Sequence, residues 1–351
     1  MPDKFSASAS TISAKDYKSK EHSVTEFTVT EELSKPFEIV LTLVSSSFEI
    51  SSQIGQKLTV NRYDNESGSL KLTRSYNGII TNIRQVGLDD SLQYASYEVT
   101  LRPWLWLLTH THSFRVYQSQ STKDIVSDIF TSTGFSGSFK VNSLPSTKRE
   151  YCLQYNESDF DFVSRLLSEE GIHYYFEHSD GDHTLVLQDA KNPFSKSDIS
   201  KFDMAETRSG SNPIIEKWMP TSDFHGVSIE LSAYDYSQTK LVSSKASKSS
   251  NSVGNNSKLA AVHYPTLGIV GDTSDLASNL VKRRIAEIEQ CYSQVIATSK
   301  NDYFYVGTTF SLSSHLDKSQ LGDFLVIKTR TQYLSLLHIT RVAEPFEIVV
   351  I

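Results

Sequence analysis

Two pairs of acidic residues have a spacing that could support catalysis, because a glycosidase needs two carboxyl groups that flank a cleft. The first pair is Asp159 and Asp161, and the second pair is Glu169 and Glu170. Both pairs fall on one predicted helix. Acids in its opening turn complement the helix macrodipole, and acids near its end lie on its polar face. The sequence therefore favours structural roles for all four acids over acid–base chemistry.

Histidine and cysteine are the other residue types that could bind a metal or react. His110 and His112 are two positions apart, so on a strand they would face the same side and could share an ion. No H-E-x-x-H motif or carboxylate motif accompanies them, which favours a surface pair or a satisfied core pair. Cys152 and Cys291 lie far apart without metal-ligand spacing, and we interpret them as free buried thiols in a reducing compartment. We expect no metal site.

The glycines do not form a phosphate-binding loop or a nucleophile loop. With 15 glycines, the chain contains neither G-x-G-x-x-G nor G-x-x-x-x-G-K-[ST]. The fragment nearest to the hydrolase elbow G-x-S-x-G is Gly134-Phe135-Ser136-Gly137, whose spacing is wrong for a strained strand-to-helix turn. We therefore predict no catalytic residue, no cofactor-binding residue, no bound cofactor and no enzymatic activity.

Charge and hydropathy exclude two classes of partner. The net charge of -7 comes from 34 basic and 41 acidic residues spread along 351 positions, without the basic stripe that a nucleic-acid binder needs. No stretch approaches the apolar length of a membrane span, and residues 1–16 are mostly small, polar or charged. We expect no nucleic-acid partner, no cleaved secretion signal and no stable membrane association.

The elements that would position these residues begin with a strand-rich region. Residues 24–106 carry short runs of β-branched and aromatic residues, which are typical of antiparallel strands. Turn chemistry separates the runs at the spacing of a barrel or sandwich. The predicted turns are Asp64-Asn65-Glu66-Ser67-Gly68, Tyr76-Asn77-Gly78 and Gly87-Leu88-Asp89-Asp90.

Two helices follow, with a hairpin after the second. The first helix, residues 121–134, is capped by Ser121 or Thr122 and stops at Gly134. The second, residues 158–170, begins at Ser158, has Asp161 at the acid position of a capping box and ends at Gly171. The hairpin joins β runs at 173–177 and 184–188. The predicted buried stripes are Ile125, Val126, Ile129 and Phe130 in the first helix, and Phe162, Val163, Leu166 and Leu167 in the second.

The last third of the chain returns to a strand pattern, at 214–218 and 227–236. Residues 242–258 are rich in Ser, Lys and Asn, which is typical of an exposed loop. A third helix, residues 273–291, starts at Asp272 or Thr273. Its predicted apolar face consists of Leu276, Leu280, Val281, Ile285 and Ile288.

These patterns predict three domains, in keeping with the length of the chain. The first β-barrel takes residues 1–108, an α/β insert takes 109–200, and a second β-barrel takes 201–351 with the exposed loop 242–258 and the helix 273–291. The run Pro36-Phe37-Glu38-Ile39-Val40 recurs as Pro345-Phe346-Glu347-Ile348-Val349. So short a match favours coincidence, although it is compatible with two related barrels.

The stretch Arg149–Phe176, REYCLQYNESDFDFVSRLLSEEGIHYYF, closely resembles the signature of VgrG-type tail hub proteins. Other segments resemble the same family in the same order: 31–39, 54–56, 76–80, 101–108, 114–118 and 124–126. The resemblance implies a mainly β fold with an α+β insert. It would contain two antiparallel β-barrel tube domains plus a small α/β domain, as in the baseplate hubs of contractile-tailed phages.

The resemblance also implies a function. Such proteins are structural components of the type VI secretion system, where a homotrimer forms the hub at the tip of the tail tube. Three copies would present six similar barrels to an Hcp-like hexameric tube protein, contact baseplate proteins and nucleate the tube. They would assemble in the bacterial cytoplasm and be ejected, without a signal peptide, when the sheath contracts. The hub portion of the family supplies no catalytic residues.

The sequence leaves open both the extent of the protein and two alternative functions. Proteins of this type continue into an oligonucleotide-fold domain and a β-helical needle, whereas this sequence stops at Ile351. A fragment, a shortened gene and a hub whose spike is a separate polypeptide all fit. The chain could also be a stand-alone baseplate hub of a contractile phage or tailocin. A cell-wall hydrolase on a hub scaffold would need Asp159 and Asp161 to converge in a cleft.

Overall fold

Two barrels and two inserts make up the fold of the described chain. The computed structural model describes residues 12–351, except 47, 67–68, 89–92, 143, 190, 208–209, 236–238, 244–246, 252, 255, 257–258, 264–272, 291, 337–338 and 343–345. Most of its regular structure is strand, which confirms the predicted mainly β class.

The first barrel is built from strands in which buried and partly exposed residues alternate, the pattern of a strand with one face in a core. In the sixth strand, for example, Ala95, Tyr97, Val99 and Leu101 are buried. The elements are β1 (Ile12–Lys15), β2 (Glu21–Glu32), β3 (Glu38–Ser45), α1 (Ile50–Gln53), β4 (Lys57–Glu66), β5 (Ser69–Leu88) and β6 (Ala95–Arg102). Within the described residues, the six strands pair antiparallel in the order β1-β4-β5-β6-β3-β2, and a β1–β2 pairing closes the barrel.

One predicted turn in this barrel is wrong. The segment Tyr76-Asn77-Gly78 lies inside β5. A Cβ atom on Gly78 would lie 2.9 Å from Cβ of Leu101 and 3.2 Å from the ring of Phe37, so glycine is needed there for close packing between strands rather than for a turn. The other two predicted turns fall at strand ends and extend into residues outside the described part, 67–68 and 89–92.

The first insert is a three-layer unit. Its elements are α2 (Trp104–Leu107), β7 (His112–Ser121), α3 (Thr122–Ser132), β8 (Phe139–Val141), β9 (Lys148–Ser158), α4 (Asp159–Glu170), β10 (Ile172–Ser179) and β11 (Asp182–Asp189). β7 and β9 form a two-stranded ribbon on one side of the helices, and β10, β11 and β8 form a sheet on the other. β10 and β11 contact β5, which attaches this insert to the first barrel.

Both helices of the first insert begin where the sequence predicts, although α3 ends at Ser132, two residues before the predicted Gly134. Ser121 Oγ accepts a hydrogen bond from Asp124 N at 3.2 Å, and Asp124 Oδ2 accepts one from Ser121 N at 3.1 Å, a complete capping box. At the start of α4, Ser158 Oγ accepts a hydrogen bond from Asp161 N at 3.0 Å. Asp161 Oδ2 accepts its bond from the Ser158 hydroxyl at 2.7 Å and not from the Ser158 backbone, so this cap is not a complete capping box. α4 then ends at Gly171, with a φ of +70°. Every residue of the two predicted apolar stripes is buried.

The second barrel and a second insert share the rest of the chain. The elements are β12 (Ser195–Met204), β13 (Ile214–Thr221), β14 (Ser228–Asp235), β15 (Lys240–Ser243), β16 (Ser247–Lys248), β17 (Ala260–His263), α5 (Thr273–Gln290), β18 (Gln294–Ser299), β19 (Thr308–Ser314), β20 (Gly322–Leu336), β21 (Ile339–Val342) and β22 (Phe346–Val350). Among the described residues, six of these strands pair in the order β20-β19-β12-β13-β18-β22, and a β20–β22 pairing closes the ring.

The second barrel departs from the antiparallel prediction at one strand. β12 runs parallel to both of its neighbours, β13 and β19. Parallel neighbours cannot be joined by a tight hairpin. β12 and β13 pair only at Asp203 opposite Ile214 and at Met204 opposite Ile215, and a 3₁₀ turn at Ala205–Thr207 follows β12.

The second insert, which is formed by β14 to β17 and α5, has a small core of its own. Ile229 and Leu231 of the sheet pack against Val281 and Ile285 of α5, with Leu280 and Ile288 at the margin. The predicted helix is confirmed, although it lies in this insert and not in the barrel wall. Residue Asp272, Cys291 and the side chain of Leu276 fall outside the described part.

The segment predicted as an exposed loop, residues 242–258, is partly built into the second insert. It contains the end of β15 and all of β16. Glu289 of α5 accepts hydrogen bonds from the hydroxyls of Ser249 and Ser250, at 2.7 and 2.9 Å, and Asn256 is buried. The exposed-loop prediction is therefore wrong at Asn256, whose side-chain amide donates to the carbonyl of His225 at 3.3 Å.

The two barrels are joined along one pair of strands. β2 pairs antiparallel with β20, from Glu26 opposite Leu334 to Glu32 opposite Lys328. The repeated sequence run lies on the strand beside this junction in each barrel, with Glu38 opposite Thr30 and Glu347 opposite Arg330. Pro345 lies outside the described residues. The division of the chain at residues 108 and 200 stays a prediction.

Candidate functional site

The acids of the first pair hold the first insert together. Asp159 is fully buried, and its Oδ1 accepts hydrogen bonds from Arg115 Nη1 at 2.5 Å and from Gln154 Nε2 at 2.7 Å. Asp161 is engaged by the hydroxyl of Ser158, as described above. One acid is thus sealed in the core and the other caps a helix, so the pair does not flank a cleft in the way a glycosidase requires.

The second acidic pair is also paired with arginines. Arg149 donates to Glu169 at 2.6 Å and to Glu170 at 2.9 Å. Arg165 lies 3.4 Å from Glu169, and Arg283 of α5 lies 3.6 Å from Glu170 and donates to the backbone carbonyl of Glu169. These contacts fasten the end of α4 to β9 and to the second insert. These contacts are structural, and the absence of a catalytic role for this pair stays a prediction.

The histidine pair does not share a strand. His110 closes a 3₁₀ turn (Leu108–His110), where its ring meets the Trp106 ring edge-on at 4.7 Å, and His112 begins β7. The premise that both face the same side of a strand is wrong, because the turn ends between them. No group of three or more His, Cys, Asp or Glu side chains close enough to bind a metal occurs within the described residues.

The described helices include none with the length and apolar character of a membrane span.

Within the described residues, several buried or partly buried charged side chains meet where the first barrel, the first insert and the second barrel join. We call Glu31, Arg74, His178 and Asp302 the junction cluster. Glu31 Oε1 lies 3.3 Å from His178 Nε2, and its Oε2 lies 3.7 Å from Arg74 Nη2. Burial alone would raise the pKa of Glu31, but the contacts with His178 and Arg74 outweigh it and leave the pKa below its usual value.

Arg74 is held from both sides within the junction cluster. Its guanidinium donates to the carbonyl of Asp302 at 2.7 Å and lies between the rings of Tyr305, at 4.2 Å, and Tyr76, at 4.7 Å. Arg62 pairs with the carboxylate of the same Asp302. Because Asp302 and Tyr305 precede β19, these contacts bind the second barrel to the first.

A buried histidine completes this region in one fixed tautomer. His183 Nε2 accepts a hydrogen bond from Trp104 N at 3.0 Å, so its Nδ1 carries the proton and donates to Asn77 Oδ1 at 2.8 Å. Protonation of Nε2 would remove the acceptor for Trp104. Burial is the main reason that the pKa of His183 is lowered to about 3, and the neighbouring His178 lowers the pKa further.

The buried histidines predict that acid destabilises the fold. The pKa of His183 is about 3 in the folded chain, against 6.5 for an exposed histidine, so between these values only the unfolded chain binds the proton. The contribution of neutral His183 to the free energy of unfolding is therefore complete above pH 6.5 and is lost as the pH falls toward 3. One proton is worth about 1.4 kcal/mol per pH unit, hence about 2 kcal/mol between about pH 6.5 and about pH 5. Burial also lowers the pKa of His22 and His173, which adds to the loss.

Urea titration at pH 7 and pH 5 measures this loss. The variant His183→Gln keeps a neutral acceptor for Trp104 and is expected to show a flatter pH dependence than the wild type. Equal pH dependence in the two proteins would contradict the assignment of this proton to His183.

Comparison with known proteins identifies the family. The family model for the phage tail baseplate hub (GPD) matches residues 30–335, which include both inserts and most of both barrels. The chain belongs to the phage tail baseplate hub family. Membership accounts for the fold of the chain.

One relative of this hub protein is the type VI secretion system spike protein VgrG1b of Pseudomonas aeruginosa. It is 30% identical over 307 residues, which are 85% of this chain and 39% of the relative. VgrG1a of the same organism is 39% identical over 162 residues, which are 46% of this chain and 24% of the relative. The hub chain therefore spans well under half of the length of the curated relatives it matches.

Solved structures share the fold of the hub chain. The E. coli c3393 protein, described as a component of the type VI secretion system with structural similarity to T4 tail proteins gp27 and gp5, aligns with a TM-score of 0.67 and 16% identity, over 96% of this chain and 76% of that one. A tail protein from Neisseria meningitidis MC58 aligns with a TM-score of 0.68 and 12% identity, over 97% and 96% of the two chains. At these identities the likeness shows the fold alone.

The sequence did not reveal the junction cluster of the hub. Its members lie far apart in the chain, on β2, β5, β10 and the segment before β19. The one local signal is the alternation of Arg74 and Tyr76, which places a charged and an aromatic residue on the same face of a strand. That signal is too short to show that the face is buried.

Proposed function

We propose that this chain is the structural hub at the tip of a type VI secretion tail tube, where three copies form a ring. The observation that carries the proposal is the 30% identity to VgrG1b over 85% of the chain, across two closed barrels joined edge to edge. Two barrels in each of three copies would give six, a number that suits docking on an Hcp-like hexameric tube protein.

The proposed role is mechanical. A hub that is pushed outward by sheath contraction must keep its barrels in register under load. The β2–β20 pairing and the junction cluster suit this need, because both tie the two barrels directly. We propose assembly in the bacterial cytoplasm, contacts with baseplate proteins and with a spike segment, and ejection when the sheath contracts. The chain would act without enzymatic activity.

A phage-type baseplate hub is the second candidate. The Neisseria meningitidis tail protein is matched over 96% of its own length, whereas VgrG1b is matched over 39%. At 12% identity this is a likeness of fold, and it supports the phage-type role only at that level. The sequence identity to VgrG1b, which is more than twice that to the tail protein, favours the secretion system.

Native mass spectrometry of the chain mixed with a purified tube protein separates the two candidates. With the hexameric tube protein of a type VI system, the expected complex contains three copies of this chain and six of the tube protein. A matched sample contains the tube protein of a contractile phage. Binding only to the phage protein would contradict the secretion role and support the phage-type hub. Binding to neither protein would contradict both roles.

A further inference from the structure

The β7–β9 ribbon presents an apolar face that nothing in the described chain covers. Its helix-facing side is buried against α3 and α4, while the opposite side exposes Phe114 and Tyr155 by 68% each, Val116 by 54% and Tyr151 by 49%. Single exposed apolar side chains are common on soluble proteins, but a contiguous cluster of large ones is unusual.

These exposed residues form one surface because of the strand register. Phe114 lies opposite Tyr155, Val116 opposite Leu153, and Gln118 opposite Tyr151. The rings of Phe114 and Tyr155 meet edge to face at a centroid distance of 5.3 Å. We define the ribbon face as these six residues. It is a continuous patch of three cross-strand pairs in which no member is charged.

The ribbon face rests on a rigid base. Beneath it, the side chain of Arg115 is bonded to the buried Asp159, and Tyr117 donates to Asp128 at 3.2 Å. Cys152 is buried on the same inner side. A surface fixed in this way loses little conformational entropy when a partner binds, which is the property of a pre-organised docking site.

We propose that the ribbon face is a contact between copies of this chain in the assembled hub. This inference rests on the proposed function and names the partner of one surface. The composition of the ribbon face favours a second copy over a transient partner. Interfaces between permanent copies are more apolar at their centre than transient ones, and none of the six residues of the ribbon face is charged.

The size of the ribbon face fits the core of such a contact. A complete aromatic side chain has about 200 Å² of accessible surface, so Phe114 and Tyr155, each 68% exposed, together leave roughly 270 Å² accessible. Val116, Leu153 and Tyr151 enlarge this area. A stable interface buries about 800 Å² on each partner, so the ribbon face would supply the apolar centre and neighbouring polar residues the rim. Aromatic residues in such a centre carry much of the binding energy.

Light scattering of a double variant tests the inference. Phe114→Asp with Tyr155→Asp places two charges on the ribbon face, and the high exposure of both residues should spare the fold, which circular dichroism checks. The concentration needed for trimer formation is expected to rise at least a hundredfold. The control is Leu316→Asp, which alters a leucine that is 74% exposed outside the ribbon face. The control is expected to assemble like the wild type.

A photo-crosslinking residue at Val116 gives a second readout that does not depend on stability. In the purified protein, ultraviolet light should join two copies of the chain, and the same residue at Leu316 should not. A double variant that assembles like the wild type would overturn the inference while leaving the trimeric hub intact. A wild type that stays monomeric would overturn the inference too, and binding of the tube protein would then decide the proposed function separately.

Discussion

Replacing Glu31 by Gln is expected to cost about 3–5 kcal/mol of stability, the usual effect of removing one partner of a buried ion pair. The variant keeps the shape of the side chain but removes the negative charge that faces Arg74 and His178. Arg74 would then stay buried without a carboxylate beside it. At roughly 2–4 °C per kcal/mol, the melting temperature should fall by roughly 6–20 °C. Differential scanning calorimetry measures the change.

Two controls define the Glu31 experiment. Glu98 pairs with Arg84 on the surface at 2.9 Å, so Glu98→Gln is expected to cost less than about 1 kcal/mol. The double variant Glu31→Met with Arg74→Met removes both buried charges and should recover part of the loss, less the contacts that Arg74 makes with Asp302 and the two tyrosine rings. Equal melting temperatures for Glu31→Gln and Glu98→Gln would show that the junction cluster does not hold the barrels together.

Replacing Leu166 by Asp is expected to unfold the first insert. Leu166 is fully buried on the face of α4 that packs into the main core. The substitution removes an apolar side chain, which alone costs about 2–5 kcal/mol, and adds a charge without a partner, which costs several kcal/mol more. Hydrogen exchange followed by mass spectrometry should show loss of protection across α3, α4 and the ribbon.

Ser168→Asp is the matched control on the same helix. Ser168 is exposed on α4, so the new carboxylate stays in water and meets only the unfavourable end of the helix dipole. Its cost should stay below about 1 kcal/mol. If Leu166→Asp kept the protection of the wild type, the helical register that buries Leu166 and Leu167 would be incorrect.

Local patterns predicted the elements of this chain well because their causes are local. Ser121, Ser158 and Gly171 act within one helical turn, so caps and stops could be located from neighbouring residues. The three-residue and four-residue spacing of apolar positions likewise identified the buried faces of α3 and α4. Strand patterns alone did not distinguish a barrel from a sandwich. The prediction of two barrels came from the resemblance to tail hub proteins.

Features that depend on distant parts of the chain could not be predicted in this way. Asn77-Gly78 has the composition of a turn, but the strand continues because Gly78 must fit against Leu101 and Phe37. Asp159 has the pattern of an ordinary first-turn acid until Arg115, which lies 44 positions earlier, is seen beside it. The parallel direction of β12 and the separate core around α5 depend in the same way on long-range pairing.

The mass of the purified chain, measured by light scattering over a concentration series, tests the central claim most directly. A hub of three copies predicts a species of about 118 kDa, three times the chain mass of 39.4 kDa, that persists on dilution to micromolar concentration. A single species of 39.4 kDa at every concentration would contradict the claim that this chain assembles into a ring by its own surfaces.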